Sequence, residues 1–82
     1  MRIELTASAA REFAKLPPAT QSRFVEAIDA LAAGGRADVK KLKGTRSTWR
    51  LRVGEYRGIF EKEADRAVFT RFAHRSKVYE VR

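Results

Sequence analysis

Apolar and polar residues alternate strictly along residues 48–53 (TWRLRV). Trp49, Leu51 and Val53 share one parity, and Arg50 and Arg52 the other. Successive side chains of a strand point to opposite faces, so one face buries the apolar trio and the other carries two guanidiniums about 7 Å apart. The same period predicts a short strand over RIELT (2–6), a strand over 55–62 after a Gly54-Glu55 turn, and a strand over 66–73 after an Ala64-Asp65 turn. Between the first strand and the others the period changes. Ala9, Phe13 and Leu16 recur at helical spacing behind Thr6, a residue suited to cap a helix N-terminus. Pro17-Pro18 ends that helix, and Pro18 suits the first position of a second. The second helix runs to about Ala33, with Phe24, Ile28 and Leu31 on one face and Val25 beside them, and Gly34-Gly35 stops it. So short a connection makes the two helices a hairpin.

Residues 36–47 (RADVKKLKGTRS) read as a basic connector anchored by Val39 and Leu42. The order β-α-α-β-β-β predicts an α+β protein in which a two-helix hairpin packs against a mainly antiparallel, curved sheet. Nothing resembles a repeat, a low-complexity tract or a linker, so residues 1–82 are expected to form a single domain.

Composition narrows the chemistry. With no cysteine and one histidine in 82 residues, disulfides, thiolate nucleophiles and histidine-rich metal clusters are excluded; no metal and no cofactor are expected. No apolar run is long enough for a membrane span or a signal-peptide core, so a cytoplasmic protein without membrane contact is expected. The charge is unevenly placed. Residues 1–39 hold five cations and five acids, whereas residues 40–82 hold thirteen Lys/Arg against five acids, the whole formal excess of +8. Twelve of the eighteen cations are arginines, whose planar fork suits phosphate. The helices carry the neutral half and the sheet the cationic half, which points to nucleic acid or another polyanion on the sheet.

Arg50 and Arg52 repel one another unless solvent screens them or an anion lies over them. A solvated sheet face and a phosphate-binding face both fit the pattern. In YRGIF, Arg57 shares a parity with Ile59 and Glu61, so it is expected to be partly buried, with Glu61 or a substrate phosphate as its partner. Arg71 falls between Phe69 and Ala73 on one parity. His74, Arg75, Lys77 and Tyr79 follow within six residues. Together these groups could bind RNA phosphates, stack a base and stabilise a phosphorane. The acids lack the layout of a glycosidase or a two-metal nuclease, and no glycine-rich phosphate loop is present. RNA cleavage would then use the substrate's own 2′-OH.

The LPP break, the KKLKG connector, the WRLRVGEYRGIF segment and the closing AHRSKVY together resemble the RelE-type toxins of the RelE/ParE toxin–antitoxin superfamily, nearly end to end. The resemblance implies an α+β toxin that inhibits translation as an mRNA interferase, cleaving mRNA in the ribosomal A site without metal and leaving a 2′,3′-cyclic phosphate. It also implies a cognate antitoxin that wraps the toxin in a hetero-oligomer. By position it assigns phosphate binding to Arg50 and Arg52, and transition-state stabilisation to Arg57 and Arg75. Tyr79 becomes a base-stacking or acid/base residue, with His74 a further acid/base candidate. Lys41, Lys43, Arg71 and Lys77 complete the candidate phosphate-binding set. Arg50 and Arg52 stand where some members have lysine, and arginine is never deprotonated, so neither is a general base. Two other readings remain open: a non-nuclease toxin of the ParE type that inhibits DNA gyrase, and a plain RNA-binding module. In each case a partner carrying acids is expected to neutralise the Arg50/Arg52 face.

Overall fold

A computed structural model of the chain describes residues 1–78. The elements in order are β1 (Arg2–Leu5), α1 (Ala7–Ala14), α2 (Pro18–Ala32), β2 (Val39–Lys41), β3 (Thr48–Val53), β4 (Tyr56–Glu63) and β5 (Arg66–His74). The five strands form one sheet in the order β1-β5-β4-β3-β2. β1 runs parallel to β5, and every other pairing is antiparallel. Both helices cover one face. The expected α+β architecture is present, with one strand more than expected. Val39–Lys41 pairs with Trp49–Leu51 inside what reads as a connector. Three residues with a single inward apolar side chain are too few to show a period of two.

Local chemistry explains the helical ends. Thr6 is extended and its Oγ1 accepts the Ala9 N–H at 3.1 Å, which caps α1. Pro18 opens α2 without needing a cap donor. The orphan carbonyls at the end of α1 are met from the next helix: Gln21 Nε2 donates to the carbonyls of Phe13, Ala14 and Leu16 at 3.2, 3.1 and 3.0 Å. That clasp fixes the hairpin angle across Pro17. Gly34, at φ +80°, ends α2.

The sheet departs from strict alternation once, in β5. Opposite β4, Ile59 pairs with Arg71 and Phe60 with Phe69, so Thr70 is a bulged extra residue. Phe69 and Phe72 therefore both point to the helices, although three positions apart, while Arg71 and Ala73 turn to the other face. Arg71 thus does not share a face with Phe69, as unbroken parity requires. The Phe72 N–H, facing the open edge beyond the end of β1, donates to Glu12 Oε1 of α1 at 2.9 Å.

Phe72 is the centre of the core. Its ring stacks on Phe69 (centroids 5.3 Å apart, planes 8° off parallel) and meets Phe13 and Phe24 edge-on at 5.3 and 5.2 Å. Phe60 lies 4.9 Å from Phe69. Leu51, Val53, Leu16, Ala9 and Ala67 fill in around them. Gly58 faces these rings from β4; a Cβ there would lie 2.9 Å from Phe72 Cε1 and 3.2 Å from Phe69 Cε2. No helix among the described residues is long and apolar enough to cross a membrane.

Gly58→Ala is expected to lower stability by about 1–3 kcal/mol, because neither ring of a stacked pair can yield without disturbing the helices behind it. Urea unfolding followed by tryptophan fluorescence would read the change. An unaltered midpoint would mean that the stack slides freely.

Candidate nucleic-acid interface

Cross-strand register builds the face away from the helices. One row reads Lys40 on β2, Arg50 on β3, Ile59 on β4 and Arg71 on β5. The next row, nearer the β3–β4 hairpin, reads Arg52, Arg57 and Ala73. Five cations thus stand on one face of four strands. Arg52 and Arg57 are directly opposed, an arrangement that costs stability unless anions or carbonyls answer it.

Asp38, just before β2, supplies one answer. Its Oδ2 accepts from Arg52 Nε at 2.7 Å and its Oδ1 from Arg50 Nη1 at 3.3 Å. Its carbonyl accepts the Arg52 N–H at 2.9 Å, so the backbone holds the carboxylate over the arginine pair. Partial desolvation favours the protonated acid, but hydrogen bonds and charge from Arg52 and Arg50 outweigh it and hold the carboxyl below its usual range. Arg50 is the more sheltered cation, its side chain 18% exposed against 52% for Arg52.

The remaining candidates gather at the hairpin. Gly54 takes the positive φ of +60° that this two-residue turn requires. Arg57 Nη1 donates to the Gly54 and Tyr56 carbonyls at 3.1 and 3.2 Å, while Glu61, the neighbour expected to hold it, accepts instead from Ser47 and Thr48. Arg75 is pinned twice to Glu55: its N–H reaches the Glu55 carbonyl at 2.7 Å, and its Nε reaches Glu55 Oε1 at 2.7 Å. His74 pairs with Tyr56 across the strands, the rings edge-on at 5.4 Å. Its Nδ1 receives the Ser76 N–H at 3.2 Å, which places the proton of the neutral ring on Nε2. Arg71 Nη2 donates to the Lys77 carbonyl at 3.0 Å, so the turn after β5 folds back over this face. Val78, in that turn, is 3% exposed.

Arg50, Arg52, Arg57 and Arg71 therefore share the face, with Arg75 at its hairpin end and Lys77 in the turn above, whereas His74 falls in the row of Tyr56 and Val53, on the parity of the buried residues. Two expected members stand elsewhere. Lys41 pairs with Trp49, on the opposite parity, and its Nζ binds the Thr45 carbonyl. Lys43 lies in the loop before Thr48, at the far end of β3, roughly 17 Å of strand from the hairpin. Tyr79 lies outside the described residues. Lys40, Asp38 and Glu55 were not expected here. Lys40 needed the β2 register, and Asp38 sits twelve and fourteen positions from its partners. Glu55 carried a signal, since an acid in the turn beside Arg57 is legible in GEYR.

A five-stranded sheet with a helical hairpin on one face is a fold this chain shares with solved RelE toxins. The archaeal RelE of a RelB–RelE antitoxin–toxin complex from Methanococcus jannaschii superposes with a TM-score of 0.80 at 25% identity, covering 93% of this chain and 94% of that one. The RelE–RelB complex of Pyrococcus horikoshii OT3 gives 0.73 at 26%, covering 94% and 97%. Toxin RelE3 of Methanocaldococcus jannaschii is 40% identical over 45 residues, 55% of this chain; the match spans about half of that relative, 51% of its length. The sequence profile described as "ParE toxin of type II toxin-antitoxin system, parDE" matches residues 3–79. The chain belongs to this family, within the RelE/ParE superfamily.

Because the folded carboxyl of Asp38 titrates below its unfolded value, the stability it contributes is complete above pH of about 4 and is lost as pH falls through the lowered pKa. The stability gap between the wild type and Asp38→Asn should accordingly be constant from pH 5 to 7 and narrow as pH falls below the ordinary carboxylate value of about 4. Thermal melts at pH 3 and pH 6 check this; an equal gap at both would assign the effect to shape, not charge.

Proposed function

We propose that the chain is the toxin of a type II toxin–antitoxin module and acts as a ribosome-dependent mRNA endonuclease. The supporting observation is the opposed Arg52–Arg57 pair with Arg75 fixed by Glu55 at the same hairpin. Residues of three segments, Arg52 of β3, Arg57 of β4 and Arg75 of the turn after β5, come together at this hairpin. Arg50 and Arg52 hold the flanking backbone. The substrate 2′-OH attacks the adjacent phosphorus, the 5′-oxygen leaves, and a 2′,3′-cyclic phosphate forms, while Arg57 and Arg75 take up the phosphorane charge. Positioning and charge stabilisation carry the rate, because arginine cannot serve as the base. Nδ1 of His74 is committed to the Ser76 N–H, so His74 serves best by shaping the turn that presents Arg75. Tyr79, from the segment following that turn, is the stacking or proton-transfer group of this scheme.

The toxins in the neighbouring solved complexes sit with RelB antitoxins, and a cognate antitoxin carrying acids is the corresponding partner here. The ParE description of the matched profile favours a second reading, a gyrase inhibitor that needs no convergent arginine set.

Primer extension on programmed ribosomes separates the two. Wild type should cut within the A-site codon, and Arg75→Ala should lose about 10²-fold in rate. Intact mRNA under growth arrest, with supercoiling by gyrase blocked, would establish the second reading instead.

A further inference from the structure

Asp38 has no part in the chemistry above, yet it occupies the centre of the phosphate-binding pair. Its two oxygens bridge two guanidiniums, Oδ1 to Arg50 at 3.3 Å and Oδ2 to Arg52 at 2.7 Å. Two non-bridging oxygens of a phosphodiester would take the same donors. The carboxylate is held there by the backbone, through the 2.9 Å bond from the Arg52 N–H to the Asp38 carbonyl. Although its side chain is 44% exposed, Asp38 is thus tied to β3 through both carbonyl and carboxylate.

We infer that Asp38 is a built-in phosphate surrogate that sets the chain's specificity for RNA. It keeps Arg50 and Arg52 parallel on β3, and it makes any incoming phosphate compete with an anion already in place. A single phosphate, or a strand touching only this pair, gains little by the exchange. A strand also gripped by Arg57, Arg71 and Arg75 gains enough from those contacts to displace the carboxylate. The residue therefore discriminates against loosely held RNA and favours RNA presented in a fixed path. This rests on the proposed role of Arg50 and Arg52 in binding RNA phosphate.

In charge terms, Arg50, Arg52 and Asp38 together present one net positive charge, and neutralising Asp38 presents two. Binding of a single strand then releases one further counterion, which steepens the log–log dependence of affinity on salt by about 0.7. Purely structural support would act in the opposite direction: loosened guanidiniums would bind RNA more weakly.

The test is fluorescence anisotropy of the full chain with a short, labelled 2′-O-methyl RNA, which cannot be cleaved, over a series of salt concentrations. Asp38→Asn should bind about fivefold tighter at low salt, the scale of one exposed charge pair, with the steeper slope. Asp38→Glu should keep the wild-type slope. Asp29→Asn, which removes the same charge from α2 on the opposite side of the sheet, should leave the slope unchanged. Equal tightening by Asp29→Asn would reduce the effect to net charge and overturn the inference. Weaker or unchanged binding by folded Asp38→Asn would overturn it as well. The double variant Arg50→Ala/Arg52→Ala tells the two levels apart. If it weakens binding while Asp38→Asn does not tighten it, only the role of Asp38 falls. If it leaves binding intact, the phosphate role of the arginine pair falls, and the inference with it.

Discussion

The bulge at Thr70 is the constraint on which the two faces of the sheet depend. A strand of unbroken alternation would place Phe69 and Arg71 together, so either an aromatic ring would face solvent or a guanidinium would enter the core. One extra residue resolves the conflict: Phe69 and Phe72 both turn inward and stack, and Arg71 turns out to join Arg50 across Ile59. The inward pair then needs space, which the missing side chain of Gly58 provides. It also needs a hydrogen-bond acceptor for the Phe72 N–H at the open edge, which Glu12 provides. Core packing and the composition of the cationic face are thus two results of one local irregularity.

The cationic face is held together by few anions, each placed by backbone. Asp38 is fixed ahead of β2 by its bond to Arg52, and Glu55 is fixed in a two-residue turn by its bond to Arg75. Exposed ion pairs contribute little to stability, so the value of these contacts lies in orientation. A long arginine side chain ordered before a ligand arrives loses less conformational freedom when it binds. Arg57 uses carbonyls of its own hairpin for the same purpose.

Most of the fold was legible because its elements carry strong local signals. The alternation in TWRLRV, the double proline, the double glycine and the two hairpin turns each state their own structure. What escaped was either too short or too distant in sequence. β2 has three residues and one inward apolar side chain, so it reads as connector, and the register that puts Lys40 in the row of Arg50 and Lys41 on the other parity is not legible. The bulge is invisible to a rule based on parity alone. The Asp38 partnership joins residues of different segments, and only the pairing of β2 with β3 brings them together. Gln21, an unremarkable polar residue in α2, closes the helical hairpin by bonds to a helix that precedes it.

The edge strand β1 has a consequence for when this molecule comes into being. It lies parallel to β5, and the ion pair that joins the two strands links Glu4 to Arg66, sixty-two positions apart. Phe13 and Phe24 likewise wait for Phe72. A chain emerging from the ribosome has its first strand and both helices made while the surface they pack on is still absent, and contacts of such sequence separation form late. Arg71 and Arg75 arrive with β5 and the turn that follows it. The cationic face, to which Arg71 belongs, therefore assembles only after β5 has emerged and paired with β4 and β1.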